Sequence, residues 1–215
     1  PLTAIAFFML TGELMTSATI TDRLVALSRA LIGRIRGGLA QVNVLVSMFF
    51  AGMNGSVVAD TATVGALVLP AMKKAGYPAA FSAAVTGVSS TIGGIIPPSI
   101  MMIVLANSTE ISIAALFAAG IIPGVLIGVV IMIINHYFAI KYNFERSDEP
   151  FSVRRAGKEL YRSSFALLIP LVLVGSVMGG VASVVEAGAI TAMVALLTGV
   201  FVYRTIKWKE CTGAF

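Results

Sequence analysis

Between Gly37 and Gly76 two apolar segments meet at a polar tip, Gly52-Met53-Asn54-Gly55-Ser56-Val57-Val58-Ala59-Asp60-Thr61. Basic residues stand at both outer ends, Arg34 and Arg36 before, Lys73 and Lys74 after. Basic loops mark the cytoplasmic side of a membrane protein, so the chain is expected to enter and leave on one side and turn back at the tip. The first limb, Leu39 to Met53, measures about 22 Å at ~1.5 Å per residue, and the second, Thr61 to Met72, is shorter. A crossing helix needs about 20 apolar residues, so neither limb spans alone. The same residues admit one long kinked span, which would carry Lys73 and Lys74 to the far side. Lipid tolerates a polar turn only where protein or a water-filled cavity surrounds it. The tip is therefore a candidate ion or substrate site. Asn54-Gly55 is turn chemistry. Asp60 and Thr61 suit the cap of the second limb, and a ligand role for Asp60 competes with that.

The rest of the chain supports a membrane setting. It is 58% hydrophobic and 12% charged, against about 25% charged in a soluble domain. Long apolar runs alternate with short charged loops, which specifies an all-α polytopic membrane protein. The net charge of +5 sits in those loops, as topology charge rather than a nucleic-acid footprint. A single Cys211 excludes an intrachain disulfide and a cysteine metal cluster, and His136 closes an apolar run at an interface. The chain opens on Pro1 inside an apolar run, as a partial chain would, and shows no signal-peptide pattern.

In order, residues 1–20 form a truncated membrane helix with Glu13 near its polar end. Residues 21–36 carry Leu24, Leu27, Leu31 and Ile35 on one stripe and Arg23, Arg29, Arg34 and Arg36 opposite. That is a basic amphipathic helix lying along the membrane, an arm or a plain linker. Residues 37–110 hold the hairpin (37–76) and a second irregular element (79–106). There an apolar helix from Ala79 meets Ser89-Ser90-Thr91-Ile92-Gly93-Gly94-Ile95-Ile96-Pro97-Pro98-Ser99 and resumes at Ile100. Two prolines remove two backbone donors and two glycines loosen the same turn, so the helix breaks. Asn107 to Glu110 reads as an outside loop, and 111–140 as a return span kinked or entered at Pro123-Gly124. Residues 141–162, with ten charges of which six are basic, form a cytoplasmic linker. Phe165 to Met178 crosses outward, Ala187 to Tyr203 returns, and Arg204, Lys207 and Lys209 close the chain inside.

Two polar stretches thus lie at membrane depth. The tip offers Asn54, Gly55, Ser56 and Asp60, and the break offers Ser89, Ser90, Thr91 and the carbonyls freed from Gly93 to Ile96. Neutral oxygens with at most one carboxylate suit a weakly held hard cation such as sodium. Helix N-termini at the tip and after Pro98 attract a carboxylate. Enzyme chemistry fits poorly. Asp60 lacks a second carboxylate for a protease dyad, His136 is remote from Ser56, and no phosphate loop is present. A packing-only proline kink is the plainer alternative for the break.

The stretch Gly38-Leu39-Ala40 … Met48-Phe49-Phe50-Ala51-Gly52-Met53-Asn54-Gly55-Ser56 … Ala59-Asp60, followed by Ala83-Ala84-Val85-Thr86 … Ser89-Ser90-Thr91-Ile92-Gly93 … Ile95-Ile96-Pro97-Pro98-Ser99, resembles the large membrane subunit of tripartite ATP-independent periplasmic (TRAP) transporters. The resemblance covers essentially the whole chain and about half of such a subunit. It implies one half of an inverted-repeat elevator transporter. Residues 1–20 and 163–204 would belong to scaffold halves, 21–36 to an arm, and 37–110 to half of the transport body. It also implies a bacterial inner-membrane location and a small four-helix membrane partner. A periplasmic binding protein would deliver an organic acid, a dicarboxylate or sugar acid. Sodium would be the coupling ion, with no cofactor. Carried onto this chain, Asn54, Gly55, Ser56, Ser90, Gly93 and Ile96 would hold sodium. Ser56, Ser89, Thr91, Pro97 and Ser99 would form half of the substrate site. The chain departs from the family pattern at Met53-Asn54, where Ile-Ser is frequent, and at Gly94, where proline is frequent. It departs again at Ser183-Val184-Val185-Glu186, which lacks Thr-Pro-Thr before the glutamate. A stand-alone sodium/carboxylate transporter of the same superfamily and a structural subunit without an ion site are the alternatives.

Overall fold

Glycines at both ends of the first limb give the hairpin its shape in the computed structural model, which describes residues 2–17, 20–144 and 152–203. Gly37 (φ 72°) precedes α3 (Gly38–Asn54), and Gly55 (φ 60°) caps its end. Only Gly55 and Ser56 lie between α3 and α4 (Val57–Lys74). These positive φ values lie in the left-handed region, which costs a residue with a Cβ about 1–2 kcal/mol. The polar turn is thus much tighter than the ten residues expected, and α4, at 18 residues, is longer than the 17 of α3 rather than shorter. Pro70 is accommodated inside α4.

Seven further helices complete the described residues: α1 (Leu2–Ser17), α2 (Ile20–Ile32), α5 (Ala79–Ser90), α6 (Ile100–Thr109), α7 (Ile113–Lys141), α8 (Val153–Met178) and α9 (Val184–Leu197). A 3-10 turn (Thr91–Gly94) follows α5, and a π-helical turn (Thr198–Val202) extends α9. Among the described residues, three helices are long and apolar enough to cross a membrane: α7, α8, and α9 with its π turn. The apolar α3 and α6 are too short.

α7 serves as a ruler for the hairpin. Both hairpin ends lie at its C-terminal end: a Cβ on Gly37 would lie 2.5 Å from Ala139, and the Tyr77 ring packs tilted, 4.5 Å between centroids, on Phe144 just beyond α7. Further up, Gly128 of α7 faces Met48, and Gly124 and Gly120 face Ile96 and Ile95 of the break. The break in turn touches the tip, since Gly55 packs on Pro98 and Ser99. The chain therefore rises beside α7, turns part-way up and returns to the same end. That excludes the single kinked span. α7 itself is one continuous helix through Pro123, neither entered nor broken there.

Buried hydrogen bonds hold this half together. Gln41 donates to the Met132 carbonyl at 2.8 Å, and Asn135 donates to the Ala40 carbonyl at 3.5 Å, joining α3 to α7. In lipid no water is released when apolar helices meet, so such bonds and close packing of small residues carry the association. At the opposite end of α7 the packing is apolar. Ala4, Phe8, Ile103, Phe117, Leu173, Val177, Val184 and Ala187 form one cluster from α1, α6, α7, α8 and α9. Gly188 lets α9 approach Phe7 and Phe8 of α1.

Several expected boundaries move. The stripe on α2 is Ile20, Thr21, Leu24, Leu27 and Ser28, whereas Leu31, in its last turn, and Ile35, beyond its end at Ile32, are exposed. Arg23 is not on a free polar face: its guanidinium lies 3.9 Å over the Tyr203 ring. Asn107 to Thr109 continue α6, leaving Glu110 as its left-handed C-cap (φ 55°). The linker region becomes helical from Val153, with α8 running unbroken into the apolar stretch. Its part at 145–151, and the closing Arg204, Lys207, Lys209 and Cys211, lie outside the described residues. At the turn before α9, Ser183 caps the helix and Glu186 reaches back to it, so a capping box stands where Thr-Pro-Thr was expected.

Candidate functional site

The tip and the break meet through their backbones. The Gly55 carbonyl accepts from the Ile100 N–H at 3.2 Å. A Cβ on Gly55 would collide with the Pro98 carbonyl oxygen, and one on Gly93 would sit 3.6 to 3.7 Å from the Ser56–Val57 peptide. The approach demands glycine at Gly55, whereas a Cβ on Gly93 would make ordinary van der Waals contact with that peptide. Ser56 and Ser99 are N-caps of α4 and α6, the two helices that begin here. Ser56 accepts from Ala59 N–H at 3.3 Å and Ser99 from Met102 N–H at 3.3 Å. Two helix N-termini with their partial positive charge thus open beside each other at the junction. The Pro97-Pro98 bond is cis.

Of the expected cation residues, Gly55, Ser56, Gly93 and Asn54 come together at this junction. Asn54 is buried, and its side-chain oxygen accepts from Ser56 N–H at 3.0 Å while its amide nitrogen has no partner among the described residues. Ser90 is buried one turn lower and gives its proton to the Thr86 carbonyl at 2.8 Å. Ile96 packs on α7 and donates its N–H to the Ile92 carbonyl at 2.8 Å. Of the expected substrate residues, Ser56, Pro97 and Ser99 border the junction, with Ser99 donating to the Gly94 carbonyl at 2.8 Å. Ser89 and Thr91 do not. Ser89 is buried among the side chains between α3 and α5. Thr91 is exposed and returns its hydroxyl to the Val88 carbonyl at 2.7 Å. The helical register decides this: two neighbours of Ser90 cannot share its face.

Asp60 is not the cap of α4. Ser56 has that role, and Asp60 lies four residues further on, fully buried. Its carboxylate faces the hydroxyls of Ser47 on α3 and Ser90 on α5. Neither closes a hydrogen bond, and both carboxylate oxygens are without a donor among the described residues. An unpaired buried carboxylate costs several kcal/mol. A bound cation removes that cost.

Below Asp60 runs a hydrogen-bonded polar chain that the sequence reading missed. Ser47 and Ser89 share a bond of 3.2 Å, Ser89 donates to the Asn43 side-chain oxygen at 3.3 Å, and Asn43 donates to Thr86 at 2.7 Å. Its signal was present: Gln41, Asn43 and Ser47 interrupt an apolar limb, and polar groups at membrane depth must find partners inside the protein. No cluster of three or more metal-ligating His, Cys, Asp or Glu occurs among the described residues.

The arrangement has relatives. The family model of the DctM component of tripartite ATP-independent periplasmic transporters matches residues 1–215. The chain belongs to this family. This DctM-family chain is 36% identical to the C4-dicarboxylate TRAP transporter large permease protein DctM of Pseudomonas aeruginosa, over 98% of its own length and 49% of the relative's. It is 38% identical to the sialic acid TRAP transporter permease protein SiaT of Haemophilus influenzae, over 97% and 34%. It is 37% identical to the 2,3-diketo-L-gulonate TRAP transporter large permease protein YiaN of Escherichia coli, over 99% and 51%. The chain spans about half the length of the large permeases it matches, and less of the longer SiaT. With three helices long and apolar enough to cross a membrane among its described residues, this DctM-family chain is a multi-pass protein of the bacterial inner membrane.

Proposed function

We propose that this chain is half of the large membrane subunit of a sodium-coupled importer of organic acids. The observation that carries the reading is the junction of tip and break, with the unpaired Asp60 carboxylate one helical turn beneath it. Sodium would be held there by oxygens of Asn54, Gly55, Ser56, Gly93 and Ile96, with Ser90 and Asp60 supporting the charge from below. The paired N-termini of α4 and α6 would face the carboxylate of the substrate, with Ser56, Pro97 and Ser99 at its edge. The relatives' named substrates, C4-dicarboxylates, sialic acid and 2,3-diketo-L-gulonate, are all organic acids. In this reading a periplasmic binding protein delivers the acid and a small membrane subunit completes the permease. The hairpin and broken helix move as a body against a scaffold begun by α1, α8 and α9. The chain transports and does not catalyse.

The test uses the complete permease with its small subunit in proteoliposomes, supplied with binding protein and a labelled dicarboxylate or sialic acid. Uptake is expected to require an inward sodium gradient and the binding protein. Equal uptake in sodium-free medium overturns the coupling, and uptake without the binding protein favours a stand-alone transporter. Unchanged uptake after bulky replacements of Ser90 and Gly93 favours a structural subunit.

A further inference from the structure

α7 does more than bracket the hairpin. Its residues Gly120, Gly124 and Gly128 recur every four positions, so they lie on one face of the helix. What each meets differs. A Cβ on Gly120 would stand 2.5 Å from the Ile95 carbonyl oxygen and would also collide with the end of the Met102 side chain. One on Gly124 would collide with the Ile96 side chain and lie 3.4 Å from its backbone nitrogen. One on Gly128 would meet only the side chain of Met48, its sulfur 2.5 Å away. Two of these glycines therefore face the irregular backbone of the break, and the third faces a flexible side chain.

The Ile95–Ile96 peptide is held from both edges. Its carbonyl oxygen is turned onto Gly120, and its N–H, on Ile96, donates to the Ile92 carbonyl at 2.8 Å. The neighbouring Ile95 N–H donates to the same Ile92 carbonyl at 2.9 Å. Backbone without a helical ladder has few restraints of its own, so the surface it rests on sets its height relative to the tip. That surface is bare glycine on a continuous spanning helix.

We propose that Gly120 and Gly124 are positioning residues for the break: they seat the Ile95–Ile96 peptide against α7 and so set the affinity of the tip–break junction for its cation. This rests on the sodium reading above. A methyl group at Gly120 has to push the Ile95 carbonyl off its seat or displace α7. A binding constellation has to be held to within about 0.5 Å of its working geometry, and in catalytic sites a misplacement of about 1 Å costs ~100-fold.

The experiment compares Gly120→Ala, Gly124→Ala and Gly128→Ala in the complete permease with its small subunit. Two quantities are measured: the sodium concentration for half-maximal uptake, and hydrogen exchange of the peptide covering Ile92 to Ile96. Gly120→Ala is expected to raise the half-maximal sodium concentration about tenfold and to speed exchange at Ile95 and Ile96, with Gly124→Ala following in the same direction. Gly128→Ala leaves both near wild type. A double variant, Gly120→Ala with Met102→Ala, removes the side-chain collision and keeps the one with the carbonyl. Its defect persists if the Ile95 peptide is what the glycine seats, and its full recovery overturns the proposal. Unchanged exchange in Gly120→Ala, equal effects from Gly128→Ala, or faster exchange with unaltered sodium dependence also overturn it. If wild-type uptake ignores sodium, the sodium reading and the affinity claim both fall, and the exchange data still decide whether the glycines seat the break.

Discussion

Two helices in this chain begin with a serine cap and an acid in the first turn, and the acids meet opposite fates. At α9, Ser183 is followed three residues later by Glu186. The glutamate oxygen accepts the Ser183 N–H at 2.7 Å while the Ser183 hydroxyl accepts the Glu186 N–H at 3.3 Å. That acid is exposed and satisfied. At α4, Ser56 is followed four residues later by Asp60. One more residue rotates the side chain by about 100° around the helix, away from the cap and toward α3 and α5. The shorter aspartate then ends among Ser47 and Ser90, fully buried and without a donor among the described residues. A serine and an acid serve stability in one place and leave a buried carboxylate without a donor among the described residues in the other. A helix end that only needs capping uses the spacing that closes the box. In the sodium reading proposed above, the wider spacing at α4 leaves the carboxylate open for the cation.

The sharpest way to break this contrast is Asp60→Asn. If the carboxylate serves a cation, sodium-driven uptake by the complete permease should fall by at least about 30-fold, since removing one partner of a buried charge pair costs roughly 2–5 kcal/mol. Thermal stability without sodium should hold or rise, because the lost charge had no partner to lose. The stabilisation that sodium confers by binding the folded state should vanish. A variant that melts lower in sodium-free buffer and still transports would return Asp60 to a structural role.

Gly55→Ala tests the approach of tip and break. The alanine carries ~1–2 kcal/mol of left-handed strain and a collision with the Pro98 carbonyl. Uptake is expected to fall about tenfold or more, whereas alanine at Gly87, whose Cβ would meet nothing within 4 Å, should transport normally. Equal losses at the two positions would remove the special status of the tip.

The smallest effect belongs to the satisfied cap. Ser183→Ala should cost about 1 kcal/mol, read as a melting-temperature drop of a few degrees, with sodium dependence unchanged. A shift in sodium affinity there would mean that the two helix ends are not separate in function.

Much of this was readable from residue order. Gly and Asn-Gly placed the turn, paired prolines placed the break, and the basic flanks put both hairpin ends on one side. Asp60 was misread for a definite reason: an acid near a helix start is a cap or a ligand depending on its distance from the N-cap. That start was expected at Thr61 and lies at Val57. Ser89 and Thr91 were grouped with Ser90 because adjacency in sequence was taken for adjacency in space, and a helix separates neighbours by about 100°. The polar chain through Asn43 and Ser47 escaped because its partners, Thr86 and Ser89, lie more than forty residues away.

By itself the sequence determined which segments are apolar, where the backbone must bend, and that both hairpin ends share one side. These follow from local chemistry: hydropathy, missing N–H donors and left-handed glycines act within a few residues. The tertiary structure alone decided which polar groups meet, which stay unpaired, and what the break rests on. Those depend on how helices from distant parts of the chain are rotated against each other. Around Asp60, Gly55 and Gly120 that rotation leaves an unpaired carboxylate, a contact between two backbones and a bare seat on α7.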